Sequence, residues 1–588
     1  MICVYLCVSL LERGINMKKT FLVFMISVLF AASIFAGGAK EETPVQEQVV
    51  EEVVTAVVET PVANGPVIKV SVPADFQGEL NGRLLFVFDE SIPKRGQVFN
   101  NIDVTGCPVF GKTVFGLHAG DVITMTADDP DVYGYPFQLS EAPEGEYAVQ
   151  ALFVVYTQFN RADGHSIWGM ADHGGGGSVT SNPYNLYTEA KMATISDGSV
   201  IELSLTNEIP LGYELQEGQV DQQGNPVSAY DCVVYDKIKS ESLSEFWGTD
   251  IYIGLNILLP KNYDPNKQYP CLYYQGHWVG SGTPMSYGRS KAFTEWWDNE
   301  APEMIIMTTR DANMYYDNMY WVNSANMGPC GDAYINEVIP YMEKTYGAIP
   351  ETWARALAGG SNGGWESMAL EVFYPDVFGG TWVMCPDGMD FHCYQIVDLY
   401  NDDNGFYIDN GWVKTERPSA RDTKGNIEWT IAQENHWETA IGGGEAIAQG
   451  CWTGWEAVYG PVGENGYPVR VWDPVTGEIN KDTVAYWQEH FDLLYYLKNN
   501  WSVIGPSLVG KLHLRGGEMD NYYLNLSQYN VEAFLESTTD PYYDGYSVHF
   551  FGMGHTGNIS NQDLVSEIAD HMVKSGASDA QAVMNWWK

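Results

Sequence analysis

The sequence predicts an α/β protein with a mostly parallel sheet and a large insertion, preceded by an all-β sandwich domain. Three observations carry this prediction. From about residue 236 onward, continuous apolar runs alternate with amphipathic segments, as strands buried on both faces alternate with the helices that cover them. Between residues 67 and 207 the runs are shorter, alternate residue by residue and are separated by Gly, Pro and Asp, the pattern of half-buried strands and their turns. The 588 residues are 45% hydrophobic and 13% aromatic, which excludes an extended disordered chain and allows about two to four domains.

At the amino terminus, Lys18-Lys19, the apolar run Phe21–Phe35 and the small residues Ala36-Gly37-Gly38-Ala39 have the three parts of a secretory signal. Residues 1–39 are therefore read as a signal peptide, with translation starting at Met17 and export to the periplasm or beyond. The apolar run is shorter than the about 20 residues of a spanning helix, so no membrane association is expected after cleavage. Residues 40–66 carry Glu41, Glu42, Glu47, Glu51, Glu52 and Glu59 without a sustained period and read as an acidic tether. The charge balance, 31 basic against 76 acidic residues for a net −45, excludes nucleic acid as the default partner. Beyond the signal, Cys107, Cys232, Cys271, Cys330, Cys385, Cys393 and Cys451 form no CxxC pair, so zinc ribbons are excluded, while Cys385 and Cys393 are candidates to pair in an oxidising compartment.

Within the β-sandwich, 67–207, the predicted strands are Ile68–Val72, Arg83–Phe88, Val122–Thr126, Tyr147–Phe159 and Ile201–Leu205. In the fourth, Tyr147, Val149, Ala151, Phe153 and Val155 share one parity, as one buried face requires. Gly174 to Gly177, beside Asp163, His165, Asp172 and His173, reads as a flexible loop in preference to a metal site. A linker, 208–235, leads to the second domain, 236–588. Its strand candidates are Tyr252–Leu259, Cys271–Gln275, Met304–Thr309, Ala354–Ala358, Thr381–Met384, Lys511–Leu514 and Val548–Phe551. Between the fifth and sixth lies a tryptophan-rich cap insertion, 387–505, whose aromatic faces suit either substrate stacking or the cap's own core. A helix is predicted over 332–346, kinked or divided by Pro340.

The chemistry is concentrated after Ala354–Ala358. That strand runs into Gly359-Gly360-Ser361-Asn362-Gly363-Gly364, and Trp365, Met368, Ala369, Val372 and Phe373 then repeat at helical spacing. Strand, tight turn and helix is the order of a nucleophile elbow, and Gly359 and Gly363 supply the clearance a strained Ser361 needs. An acyl-transfer site also needs donors for the developing oxyanion. The backbone N–H of Asn362, at the start of the helix, supplies one. The loop Gly276-His277-Trp278 supplies the other, through the His277 N–H. For the base, His555 stands between glycines after the last strand, whereas His549 alternates within that strand. The acid follows the preceding strand, where Glu518 and Asp520 are both available. Ser, acid, His is the chain order of α/β-hydrolases, so this part is assigned that fold.

At these residues the chain resembles a family. Asn256-Ile257-Leu258-Leu259-Pro260 with Asn262-Tyr263-Asp264, Tyr273-Tyr274-Gln275-Gly276-His277, the elbow through Ser367, and Asp520-Asn521-Tyr522-Tyr523-Leu524 are similar to secreted esterases related to esterase D and enterochelin esterase. The resemblance, over roughly 236 to 588, implies serine hydrolysis of carboxylic esters. Its acid pattern favours Asp520 over Glu518. The insertion 387–505 and the amino-terminal sandwich depart from compact relatives, so their substrates do not carry over.

The reading is a serine carboxylic-ester hydrolase with Ser361, Asp520 and His555 as catalytic triad and Asn362 and His277 as oxyanion donors. Its chemistry calls for no metal and no organic cofactor. The loop 311–328 is dense in aromatic and amide side chains. Its Tyr315 and Tyr316, with Trp278 and Trp365, are assigned to binding an ester of a carbohydrate or a phenolic acid. An acyltransferase or a peptidase on the same triad, and a non-catalytic surface glycan-binding protein, are the competing readings.

Overall fold

The computed structural model describes residues 65–170, 178–210, 228–277, 282–310, 314–315, 318–445 and 450–584. The signal peptide, all of the tether but its last two residues, most of the 208–235 linker, Asp172, His173 and the glycine run, Trp278 and Tyr316 lie outside them. Two hydrogen-bonded sheets organise the described chain. The first joins ten strands: β1 (Val67–Ser71), β2 (Leu80–Asp89), β3 (Val109–Leu117), β4 (Val122–Met125), β5 (Tyr133–Tyr135), β6 (Gly145–Asn160), β7 (Ser166–Met170), β8 (Leu186–Thr188), β9 (Lys191–Ile195) and β10 (Val200–Glu208). Its path runs β4-β1-β10-β8-β6-β2-β3-β5, with β7 and β9 paired to β6. Ile68 and Val70, Leu84 and Phe86, Phe110, Ile123, and Ile201 and Leu203 meet in one core.

The alternation expected in β6 is present but incomplete as a description. Val149, Ala151 and Phe153 face the core of the first sheet, while Ala148, Leu152, Val154 and Tyr156, on the other parity, are buried in the larger core shared with the rest of the chain. Both faces of β6 are covered, because the first sheet packs against the insertion as well as on itself.

The second sheet has eight strands: β11 (Val233–Ser240), β12 (Ile251–Leu258), β13 (Cys271–Gln275), β14 (Ile305–Arg310), β15 (Arg355–Gly360), β16 (Thr381–Met384), β17 (Leu512–Gly517) and β18 (Tyr546–Phe550). Their order is β11-β12-β14-β13-β15-β16-β17-β18, antiparallel at β11/β12 and β12/β14 and parallel from there on. This is the α/β-hydrolase arrangement. β11 starts inside the expected linker; its Lys237 and Lys239 and its half-exposed register mark an edge strand, which carries no continuous apolar run. On one face Leu272, Ile306, Ala356 and Trp382 pack against α1 (Lys291–Asn299) and the carboxy-terminal helix Asn561–Ser575. On the other, Tyr273, Leu357 and Val383 pack against α2 (Ile339–Tyr346) and α3 (Asn362–Phe373). The predicted helix over 332–346 is divided: a π-helical turn, Tyr334–Val338, precedes α2, and Pro340 sits in the first turn of α2, where its missing N–H costs least.

The insertion contributes α4 (Ile431–Gly442), α5 (Cys451–Tyr459) and α6 (Lys481–His490), while α7 (Leu493–Leu508) returns to the sheet and stacks Tyr496 edge-on against Phe373 of α3. Trp452, Trp455, Trp472 and Trp487 are each no more than 3% exposed and form the insertion's own core, leaving only Trp412 fully open, at 95%. Two carboxylates, Glu434 half-buried and Glu438 fully buried, hold this core together. Glu434 accepts from the indole nitrogens of Trp452 and Trp429, and Glu438 accepts from the Trp452 and Thr453 amides that begin α5. Burial, reinforced by Glu434, pushes Glu438 up to about 8.

The first sheet is fastened to the insertion by Arg83, which is 1% exposed. Its guanidinium donates to the Ala440 carbonyl (2.8 Å from Nη2) and the Thr439 carbonyl (3.3 Å) at the end of α4, and to Thr113 Oγ1 (2.8 Å). A cation on the carbonyl end of a helix satisfies acceptors that the helix itself cannot. Arg161 makes a second tie, donating to the loop carbonyls of Gly466 and Ala325. Replacing Arg83 by Ala should lower unfolding free energy by about 3 kcal/mol in a denaturant titration, and Arg83→Lys should recover little, because an ammonium lacks the planar fork. An unchanged midpoint in both variants would show that this contact does not hold the two parts together.

Candidate active site

The carboxyl ends of β13, β15, β16 and β17 and the loop after β18 converge on one place. β15 ends at Gly360, and Ser361 follows with φ 59° and ψ −126°, outside the regions an L-residue prefers. The glycines show why the turn closes. A Cβ on Gly359 would stand 2.1 Å from the Gly363 carbonyl oxygen, and one on Gly363 would stand 2.3 Å from the Gln275 carbonyl oxygen of β13. Gly364 is equally confined, 2.8 Å from the Met384 oxygen, whereas Gly360 has 3.8 Å of room. Ser361 N donates to the Met384 carbonyl (3.0 Å), and the Ser361 carbonyl accepts from Trp365 N (3.1 Å), so strand, turn and helix lock as one unit.

His555 lies in the loop after β18, and its Nδ1 bonds to Asp520 Oδ2 at 2.7 Å. The loop after β17 presents this carboxylate, which is 1% exposed. Its other oxygen accepts from Tyr522 N (2.9 Å) and Leu524 N (3.2 Å), fixing its rotamer and leaving Oδ2 for the ring. Glu518 therefore has no place on Nδ1. His549 is occupied elsewhere, 2.5 Å from Glu532. Burial disfavours a charged ring at His555, but Asp520 and the neighbouring Cys385 outweigh it and raise its pKa above the usual imidazole value.

Asn362 is the first residue of α3 and is fully buried. Asn318 donates to both the Asn362 Oδ1 (3.1 Å) and the Gly276 carbonyl (2.7 Å), tying the residue after Ser361 to the loop that carries His277. His277 follows Gly276 after the end of β13.

Two of the residues assigned to substrate binding are placed differently. Tyr315 is fully buried, with its phenol toward Arg161 of the first sheet, and Trp365 is fully buried between Tyr320 and Tyr459. Both are core, since large aromatic side chains fill space under the elbow as readily as they line a rim. The two cysteines named as candidates to pair are free thiols: Cys385 lies beside His555 and Cys393 accepts from Asn530 Nδ2 at 3.5 Å.

Other residues at the site had no motif to announce them. Asp387 follows β16 and accepts from Ser361 Oγ (3.5 Å), from Trp455 Nε1 of α5 (3.0 Å) and from the Tyr320 hydroxyl (3.4 Å). Tyr522 sets its ring edge-on to His555 at 5.1 Å and meets Trp429 of the insertion at 6.5 Å. Asn521 accepts from His555 N (2.9 Å) and exchanges hydrogen bonds with the backbone of Arg421, whose guanidinium donates to the Asp520 carbonyl (2.9 Å). The available signal was positional, since residues just past the carboxyl ends of parallel strands face the crevice.

Residues 248–442 match the esterase family model described as "Putative esterase", a span that holds Ser361 but neither Asp520 nor His555. Similar solved structures include a ferulic acid esterase (17% identity, TM-score 0.34, 57% of this chain and 98% of that one). A fluorophosphonate-binding serine hydrolase F of Staphylococcus aureus is similar at 14% identity (TM-score 0.34, 58% of this chain and 98% of that one). An S-formylglutathione hydrolase of Staphylococcus aureus is similar at 13% identity (TM-score 0.33, 58% and 98%). No curated protein matches the chain.

The clearances separate the glycines of the elbow. Gly363→Ala should lower turnover by about 100-fold or more in protein that still folds by circular dichroism, since displacing a reacting group by about 1 Å costs that much. Gly360→Ala should keep the wild-type order of magnitude. Equal effects at the two positions would contradict the packing account.

Proposed function

We propose that the protein is an exported serine esterase, with Ser361 as nucleophile, His555 as general base, Asp520 as the orienting acid, and the N–H groups of Asn362 and His277 as oxyanion donors. The observation that carries the reading is the short Asp520–His555 pair, together with a serine held at φ 59° on a strand-to-helix turn of the same sheet. The esterase family match over 248–442 supports the same chemistry.

In the resting geometry the Ser361 hydroxyl is turned to Asp387. Before attack it leaves that carboxylate for His555. The hydroxyl proton then passes to the imidazole nitrogen that does not face Asp520 as Oγ bonds to the ester carbonyl carbon, and the carbonyl oxygen takes the negative charge toward the two N–H donors. Collapse breaks the bond to the alcohol oxygen, which receives the proton from the imidazolium. Water repeats the sequence on the acyl-enzyme and releases the acid. Asp520 keeps the ring in the tautomer that presents the correct nitrogen, and two backbone amides on its other oxygen prevent it from turning away.

A panel of chromogenic acetyl, butyryl, longer-chain and feruloyl esters, with Ser361→Ala as control, tests the reading. Hydrolysis of at least one ester that disappears in Ser361→Ala is expected, and activity that survives the substitution contradicts it. Asp520→Asn should lower turnover by about 10⁴ on the serine-hydrolase pattern, with Glu518→Gln much milder. The reverse order would move the acid to Glu518.

A further inference from the structure

We infer that Tyr522 and Trp429 form the subsite for the leaving alcohol and select esters whose alcohol carries an aromatic ring. The inference rests on the serine-esterase reading and places its specificity on the alcohol half of the ester.

His555 decides where that half must lie. Its Nδ1 is taken by Asp520 Oδ2 (2.7 Å), so the proton that the leaving oxygen receives comes from the other ring nitrogen, and the alcohol has to sit within hydrogen-bond reach of it. The acyl chain is under no such requirement. Side chains packed around the imidazole therefore meet the alcohol first. Tyr522 is one of them: its ring stands edge-on to His555, with centroids 5.1 Å apart and planes at 88°. Trp429, contributed by the insertion, meets Tyr522 at 6.5 Å and 53°, so the two rings open a corner and do not stack on one another. Both are half-buried, in contrast to the core tryptophans Trp452, Trp455, Trp472 and Trp487, and so keep part of their surface for a ligand.

The corner is held in place by the protein. Trp429 Nε1 donates to Glu434 Oε2 (3.3 Å), which orients the indole. Trp429 belongs to a hairpin of the insertion, Pro418–Arg421 paired with Ile427–Thr430, and Arg421 docks that hairpin on the acid loop. Its N–H donates to the Asn521 carbonyl (2.8 Å), its Nε donates to the Asp520 carbonyl (2.9 Å), and its guanidinium lies over the Tyr523 ring at 4.2 Å. Tyr522 N in turn donates to Asp520 Oδ1 (2.9 Å), so the acid that orients His555 also fixes the backbone that carries the Tyr522 ring. Burial, reinforced by Cys451 and Glu434, pushes the Tyr522 phenol up to about 12, and the ring stays neutral. A surface ordered in advance has little freedom left to lose on binding. An aromatic ring on the alcohol can rest on one face of the corner and meet the other ring at its edge, the offset and edge-on geometries that aromatic pairs favour. A flexible alkyl chain gains neither and loses more freedom when it is ordered.

The test compares kcat/KM within two pairs of esters on the full chain. Benzyl and heptyl acetate differ only in the alcohol, and ethyl phenylacetate and ethyl octanoate only in the acyl group; each pair is matched in carbon number. Trp429→Gln, which keeps a side-chain N–H for Glu434, and Tyr522→Leu, which keeps apolar volume against His555, should each lower the benzyl-to-heptyl ratio by about threefold to tenfold, the range of an aromatic contact. Tyr522→Phe should keep the ratio. The acyl-pair ratio should stay at the wild-type value in all three variants. A shifted imidazole slows both members of a pair and cancels in the ratio, so a merely structural role moves neither. An alcohol-pair ratio unmoved in either variant that folds by circular dichroism, or an acyl-pair ratio that moves as far, overturns the proposal while leaving the esterase reading intact. Failure of wild type to hydrolyse any of these esters removes both.

Discussion

The contact on which the site depends is the approach of the elbow to β13, where Gly363 lies so close to the Gln275 carbonyl that no side chain fits between them. Everything nearby is referred to that contact. It sets the angle at which α3 leaves the sheet, and with it the φ of Ser361, an unfavourable conformation that costs about 1–3 kcal/mol. The cost is offset by burial: every residue of α3 from Asn362 to Val372 is buried, so the helix cannot retreat from the strand to relax the turn. It also brings Asn362 next to the β13 loop, close enough for one asparagine, Asn318, to hold both.

The insertion is woven into the site. Through Arg421 it exchanges hydrogen bonds with Asn521, which follows Asp520 and accepts from the His555 backbone N–H, and through Trp455 it holds Asp387. Its tryptophans are mostly spent on its own core, so its influence on the chemistry runs through a few polar contacts at its inner edge. The first sheet stands one step further back. Arg83 and Arg161 cap carbonyls of the insertion and of the loop that bears Asn318 and Tyr320, which makes that sheet a brace for the walls of the crevice. A chain of buried contacts thus leads from the amino-terminal strands to Ser361.

How far the sequence reveals this can be judged residue by residue. Seven strands of the second sheet were legible because they carry apolar runs, continuous in those buried on both faces, whether parallel or, like β12, antiparallel. β11, exposed at the edge and interrupted by lysines, did not; in the first sheet β3, β5, β7, β8 and β9 were not picked out, β5 and β8 because three residues are too few to show a period. Ser361, Asp520 and His555 were singled out because each follows a strand and sits among turn residues; the structure brings Asp520 to His555 and Ser361 to Asp387. Tyr315 and Trp365 were misplaced because composition cannot distinguish an aromatic rim from an aromatic core. Asp387 was passed over because a single aspartate after a short strand has no local pattern. Its partners come from residues 320, 361 and 455, and only the folded chain brings them together.

The central claim is that the strained serine of the elbow is the group that forms the acyl-enzyme. Reaction of the purified protein with a fluorophosphonate probe, followed by peptide mass spectrometry, tests it most directly. The account predicts a single stoichiometric adduct on Ser361, absent in Ser361→Ala and formed much more slowly in His555→Ala, where the base is lost. An adduct on another residue of the active protein, or undiminished labelling of Ser361→Ala, would contradict it.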